Sequence, residues 1–129
     1  MAVLPPDPVF SFKADMGFVH SICFPTIHNE YTDTLLASTE SGKVYFWDLE
    51  TNRLKLKLDV GESVQAIHHT ENNLISQEKC GVLKLWDLKN ENEYILDRKY
   101  NCAGGYCRSV LFNNNLIVAQ EQSTVDVRN

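Results

Sequence analysis

Apolar and polar residues alternate with a period of two through much of this chain. Leu54-Lys55-Leu56-Lys57-Leu58 is the cleanest case. It reads as a strand with one face toward a core and the other toward water. Similar short segments follow one another, separated by turn residues, and no window carries a convincing helical period. The alternation places strands at 9–13, 18–24, 34–39, 43–48, 54–58, 63–69, 73–78, 82–87, 94–99, 106–112, 116–120 and 123–127. Asn72-Asn73, Asn90 to Asn92 and Asn113 to Asn115 read as turns, because asparagine tolerates left-handed backbone. Gly42 and Gly81 each precede a strong strand, where a positive φ is expected. Pro5, Pro6 and Pro8 mark an extended lead-in.

The strands repeat. Gly42-Lys43-Val44-Tyr45-Phe46-Trp47-Asp48-Leu49 recurs as Gly81-Val82-Leu83-Lys84-Leu85-Trp86-Asp87-Leu88, with the two Trp-Asp pairs 39 residues apart. Leu35-Leu36 and Leu74-Ile75 precede the two tryptophans at matching offsets, and Leu116-Ile117 begins a weaker third copy that ends on Arg128-Asn129. Upstream, Val19-His20-Ser21-Ile22 aligns with Val64-Gln65-Ala66-Ile67 and with Cys107-Arg108-Ser109-Val110. The third slot is always small and the fourth always β-branched, which suits close backbone approach on a packed, pleated surface.

Four short strands per repeat, with Trp-Asp closing the third, resemble the WD repeat of a β-propeller. The predicted class is therefore all-β. It is an incomplete WD-repeat propeller of about 2.75 blades plus a leading strand. The leading strand is 9–13, blade 1 is 18–58, blade 2 is 63–99 and a partial blade 3 is 106–129. Gly42, Trp47, Asp48, Gly81, Trp86 and Asp87 are the structural repeat residues. The copies depart from the family pattern. Ser41 and Cys80 occupy the slot before the third strand where an Asp is usual, and no His slot is filled. Thr39 keeps the hydroxyl in blade 1 and Glu78 replaces it in blade 2. Loss of the usual polar network predicts blades that rest on apolar packing. Because the pattern stops within a blade, the expectation is an N-terminal part of a longer chain or a truncated gene. A ring closed by several chains is the alternative.

Composition narrows the function. The formal net charge is −5 and the pI about 5.3. That balance argues against general binding to nucleic acid or acidic membrane, since counterion release needs clustered Lys and Arg. No apolar run approaches the ~20 residues of a membrane-spanning helix. The N-terminal stretch lacks the pattern of a secretory signal. Cys23, Cys80, Cys102 and Cys107 have no zinc-site spacing and read as reduced thiols. No nucleophile motif, metalloprotease motif or phosphate-cradling loop occurs. His68 and His69 are adjacent on a predicted strand, so they face opposite sides and cannot share one metal. No catalytic residue, metal or cofactor is assigned, and the expectation is a non-enzyme.

Beyond the generic repeat, the chain resembles the G-protein β-subunit-like protein 1 family, whose fungal members are the ASTRA-associated protein 1 group. The resemblance lies in Pro5-Pro6-Asp7-Pro8-Val9-Phe10, in Gly42 to Leu58, in Leu74-Ile75-Ser76-Gln77 leading to Leu85-Trp86-Asp87-Leu88, and in Gly105-Tyr106-Cys107-Arg108-Ser109. It implies a seven-bladed ring and a scaffold of the cytoplasm and nucleus. It also implies assistance to the assembly and stability of phosphatidylinositol-3-kinase-related protein kinases, beside the Tel2–Tti1–Tti2 co-chaperone complex and within the chromatin-associated ASTRA complex. A G-protein γ subunit is not an implied partner, because no coiled-coil helix precedes the first strand. The alternative is a generic WD-repeat adaptor in a chromatin or ubiquitin-ligase complex.

Partner contacts are expected on the loops that join the blades and on the turns before each third strand, since loops carry function over a rigid scaffold. These are Asp15 to Phe18, Thr39 to Gly42, Val60 to Ser63, Glu78 to Gly81, Cys102 to Tyr106 and Gln120 to Thr124. Asp15, Glu40, Glu62, Glu78 and Glu121 against Lys79 predict an acidic face that steers a basic partner. Phe18, Tyr106 and Arg108 are the expected anchors, because aromatics and Arg are enriched at hot spots. Glu40, Glu62 and Glu78 are the expected charged contacts.

Overall fold

A computed structural model of the chain describes residues 11–27, 30–90, 93–101, 107–113, 115–119 and 125–128. All regular structure among them is β: β1 (Val19–Cys23), β2 (Thr26–Ile27), β3 (Glu30–Tyr31), β4 (Thr34–Thr39), β5 (Lys43–Asp48), β6 (Arg53–Asp59), β7 (Val64–His69), β8 (Asn73–Glu78), β9 (Val82–Asn90), β10 (Glu93–Asn101), β11 (Val110–Phe112), β12 (Asn115–Ala119) and β13 (Val125–Arg128). Blade 1 is the antiparallel sheet β1-β4-β5-β6, blade 2 is β7-β8-β9-β10 and blade 3 is β11-β12-β13.

Two features depart from the alternation. Residues 11–13 join no ladder, and positions 9 and 10 of the expected leading strand lie outside the described residues. A small hairpin, β2-β3, sits between the first two strands of blade 1, and Thr32 closes its neck by donating its amide and hydroxyl to Pro25 O at 3.1 and 3.2 Å. Two-residue strands are too short to leave a periodic trace.

The first strands share a defect in register. The ladder slips between Val19 and Ser21 in blade 1, and between Val64 and Ala66 in blade 2. His20 and Gln65 are thus the extra residues of two equivalent bulges, and a bulge leaves its extra residue outside the ladder.

Side chains facing the seams make the core. Leu36, Val44, Phe46, Val60, Val64, Ile67 and Leu74 form one buried cluster between blades 1 and 2, joined by Leu56, Leu58, Trp86 and Tyr94. Leu83, Leu116 and Val118, with Ile75, form a smaller one between blades 2 and 3. Each fully buried aliphatic contributes about 2 kcal/mol by removal from water, so the first seam is the better held. Blade 1's other face is covered by the lead-in. Phe12 packs on Trp47 with ring centroids 5.3 Å apart, and Tyr45 OH donates to Asp15 O at 3.4 Å.

Candidate interaction face

Four of the expected loops and turns, Asp15 to Phe18, Thr39 to Gly42, Val60 to Ser63 and Glu78 to Gly81, are linked by hydrogen bonds. The turn of blade 1 is held to the lead-in by Glu40 N donating to Phe18 O at 2.9 Å. Lys79 N repeats that bond one blade on, donating to Ser63 O at 2.9 Å. Gly42 O accepts from Val60 N at 2.9 Å and Gly61 N at 3.3 Å, tying the first turn to the loop between the blades. Gly42 has φ +86, and a Cβ there would stand 2.6 Å from Glu62 O. Only glycine satisfies both the left-handed backbone and that approach. Gly81 also has positive φ, 105.

Glu78 is not a surface contact. It is 3% exposed. Its Oε1 accepts from Glu62 N at 2.7 Å, and Oε2 lies 3.1 Å from Lys84 Nζ, an ion pair without hydrogen-bond alignment. Lys84 Nζ also donates to Val60 O. The pair anchors the inter-blade loop from beneath, because a buried carboxylate must keep a cation and donors close. Glu78 therefore leaves the set of partner contacts, and the face is less acidic than the sequence reading holds. Its exposed charges among the described residues are Asp15, Glu40 and Glu62, with Lys79 and Arg108 opposing.

Arg108 is exposed at one side, but its guanidinium is engaged. Nε donates to Gln65 O at 2.9 Å and Nη2 to His20 O at 3.0 Å. Those carbonyls belong to the two bulged residues, so one side chain from the start of blade 3 satisfies acceptors that the bulges withdraw from the ladders of blades 1 and 2. A planar fork of donors does this as a single ammonium could not. Next to it, Ser109 is 4% exposed. Its amide donates to Gln77 Oε1 at 2.7 Å and its hydroxyl meets His68 Nε2 at 3.0 Å. Gln77 Nε2 donates to Cys107 O at 3.4 Å. Sequence reasoning missed Gln77, His68 and Lys84 as the links between blades. The invariably small slot at Ser21, Ala66 and Ser109 was the one hint of close approach.

Phe18 is 75% exposed beside Glu40. Tyr106, Cys102 and Glu121 lie outside the described residues. Asp48 Oδ1 accepts from Glu50 N at 2.9 Å and Thr51 N at 3.4 Å, and so shapes the turn after β5. With its amide nitrogen as donor, Asn73 reaches Asp87 Oδ1 at 2.8 Å.

The polar interior also differs from expectation. Trp86 Nε1 donates to Ser76 Oγ at 3.1 Å, so blade 2 keeps a buried tryptophan–hydroxyl bond. The slot lies two residues before Glu78. Its counterpart in blade 1 is Ala37, and Trp47 Nε1 is buried with no partner among the described residues. Thr39 instead serves its own turn. Its hydroxyl pairs with Ser41 Oγ at 2.9 Å and bonds Lys43 O and N at 3.0 and 3.2 Å.

The titratable groups near the seams answer to burial. Burial holds His68 and His69 below the usual histidine value and pushes the Cys23 thiol up. The same cause pushes Tyr94 to about 12. His68 faces Ser109, while His69 Nε2 meets Tyr94 OH at 2.9 Å toward blade 1. Among the described residues no three His, Cys, Asp or Glu side chains cluster to hold a metal. No helix among them is long and apolar enough to cross a membrane. The Ser109–His68 contact is closed to substrate by the burial of Ser109.

Comparison with known proteins supports the fold. No family model matches the chain. It is 27% identical over 110 residues to the mouse guanine nucleotide-binding protein subunit beta-like protein 1, a match covering 81% of this chain and 33% of that protein. The chain thus spans about a third of that relative. A chain of the mitotic checkpoint complex superposes with TM-score 0.66 at 16% identity, over 91% of this chain and 36% of its own length. The WD40 domain of Neurospora crassa Pan2 does so with TM-score 0.64 at 8% identity, over 93% and 37%. The fold is that of consecutive WD40 propeller blades.

Proposed function

We propose that this chain is part of a protein-interaction scaffold whose working surface is the loop face. The observation that carries the reading is Phe18. It is a large aromatic left 75% exposed and fixed through its carbonyl to the Glu40 amide of the blade 1 turn, on a face that also carries the exposed residues Asp15, Glu40 and Glu62. An exposed apolar anchor on a face with more carboxylates than cations suits a basic protein surface with an apolar pocket. The similarity to the mouse β-like protein supports a finer reading. In it the scaffold serves the maturation of phosphatidylinositol-3-kinase-related kinases with their co-chaperone complex, in the cytoplasm and nucleus.

Affinity capture of the complete protein from cell extract tests both levels. Recovery of co-chaperone subunits and the large kinases is expected, and Phe18→Ala with Glu40→Lys and Glu62→Lys should reduce it about tenfold or more. Recovery of ubiquitin-ligase or other chromatin subunits in their place would overturn the kinase reading. Full recovery by the triple variant would overturn the loop face.

A further inference from the structure

The connection between the first two strands differs between blades 1 and 2. In blade 2 it is the short turn Thr70 to Asn72, whereas in blade 1 it runs from Phe24 to Asp33 and holds the β2-β3 hairpin. The hairpin leans on the seam between the blades. Pro25 is buried, and Pro25, Ile27 and Thr32 form one wall of a cavity of about 140 Å³. Leu36, Phe46 and Leu56 of blade 1 and Leu88 and Tyr94 of blade 2 supply the rest of its apolar lining. Both blades are four-stranded sheets, so this seam has both of its sides present. The cavity opens to water, since Ile27 is 43% exposed and Lys55 and Glu71, which also line it, are exposed. The register pairs Ile27 with Glu30, and residues directly opposite in an antiparallel pair share a face. The opening therefore has carboxylates from two elements, Glu30 on the hairpin and Glu71 on the blade 2 turn, against the single cation Lys55.

We propose that this seam cavity is a docking pocket for one phenyl-sized apolar side chain of a partner protein, carried on a segment with basic residues beside it. Size selects the class of occupant. Sites for cofactors and drug-sized ligands run to about 300–1,000 Å³, while an apolar cavity of about 150 Å³ takes a single benzene-sized group. The walls select its character. The rings of Phe46 and Tyr94 lie 5.4 Å apart among leucines, and the Tyr94 hydroxyl is already engaged by His69 Nε2 at 2.9 Å. What they offer an occupant is dispersion contact, which close-packed interiors seldom leave unused. The rim selects the neighbours, because two carboxylates against one cation favour Lys or Arg on either side of the inserted ring. The pocket lies at the Thr34 end of β4 and the loop face begins at its Thr39 end, about 17 Å away along the strand. The two surfaces therefore stand or fall separately.

The probe is the peptide acetyl-Ser-Phe-Lys-Lys-Ser-amide, titrated into the nitrogen-15-labelled 129-residue chain and followed by amide shifts. Saturable shifts at Ile27, Leu56 and Tyr94 are expected, with none at Glu40 or Glu62. A peptide with Ser in place of Phe should bind about tenfold more weakly. Leu88→Phe fills the cavity from within, and should abolish binding without lowering the urea midpoint, which separates occlusion from unfolding. If that variant does lower the midpoint, Glu30→Lys with Glu71→Lys, both at exposed positions, carries the test and should weaken binding severalfold. Absence of saturable shifts, equal affinity for the Ser peptide, full binding by a stable Leu88→Phe chain, or affinity unchanged by the charge reversal overturns the proposal. So do shifts confined to Phe18, Glu40 and Glu62, since the loop face would then be the site that takes the ring.

Discussion

Blades 1 and 2 share a backbone frame 39 residues apart and stabilise its interior by different means. Blade 2 places charge inside, with Glu78 and Lys84 paired beneath the loop and Trp86 bonded to Ser76. Blade 1 holds Thr39 and Tyr45 at the same two places as Glu78 and Lys84, and Ala37 diagonal to its tryptophan, whose Nε1 has no partner among the described residues. That ring packs under Phe12 instead. The frame of glycine, alternating strand and Trp-Asp is therefore compatible with more than one set of buried polar groups. What each set must do is give every buried donor and charge a partner, and among the described residues Trp47 Nε1 and His20 Nε2 in blade 1 and His69 Nδ1 in blade 2 have none.

The largest test of the difference is Lys84→Met. It leaves the Glu78 carboxylate buried without its cation, which costs about 3–5 kcal/mol when one member of a buried pair is removed. Urea denaturation of the variant should show that loss as a lowered midpoint. Giving blade 2 the blade 1 residues together, Glu78→Thr with Lys84→Tyr, should recover most of it, because no charge is then stranded. If the single and double variants are equally unstable, the pair does not act as a unit.

Exchanging the tryptophan partners gives a smaller effect, of opposite sign in the two blades. Ser76→Ala makes blade 2 like blade 1 and leaves Trp86 Nε1 unsatisfied, at about 1–3 kcal/mol. Ala37→Ser makes blade 1 like blade 2, offers Trp47 Nε1 an acceptor across the same diagonal, and should stabilise by about 1 kcal/mol. Denaturation of both variants checks the pair. A destabilised Ala37→Ser chain would mean that the lead-in leaves no room for the hydroxyl.

The strand order, the turn glycines and the apolar seams could be read in the sequence because each follows from a local period or a fixed offset. The polar interior could not. Thr39 and Glu78 align at one offset and look like the hydroxyl slot, but the side chain opposite each tryptophan is set by the diagonal neighbour across two strands, which selects Ala37 and Ser76. Glu78 looked like a turn charge on a loop face, and only the approach of Lys84 from the neighbouring strand makes it a buried anchor. Arg108 looked like a free hot spot. Its role depends on two bulges, and a bulge has no signature in the alternation of a five- or six-residue strand. Patterns along a strand were legible, and contacts set by how neighbouring strands or blades meet were not.

The smallest effect expected is on pH dependence, and it too separates the blades. Where blade 2 has His68 and His69, the aligned positions of blade 1 are Cys23 and Phe24, neither of which gains charge in acid. Burial lowers both histidines in the folded chain, so at mildly acidic pH the unfolded chain binds more protons than the folded one. Stability then rises with pH through that window. It should be level above the ordinary histidine value of about 6.5 and decline below it toward the depressed folded values, before the bulk of the carboxylates titrate. The groups nearest the rings supply no compensating anion. His68 faces the Ser109 hydroxyl, and His69 faces Tyr94, whose phenol is raised to about 12 and stays neutral. Among the described residues, Glu71, which shares the cavity beside His69, is the carboxylate placed to soften the effect. Denaturation at pH 7.5 and 5.5 should show the loss in the parent chain, and His68→Cys with His69→Phe should remove it. Persistence of the full slope in that variant would place the acid sensitivity in the carboxylates of the loop face, and the contrast between blades would then be one of packing alone.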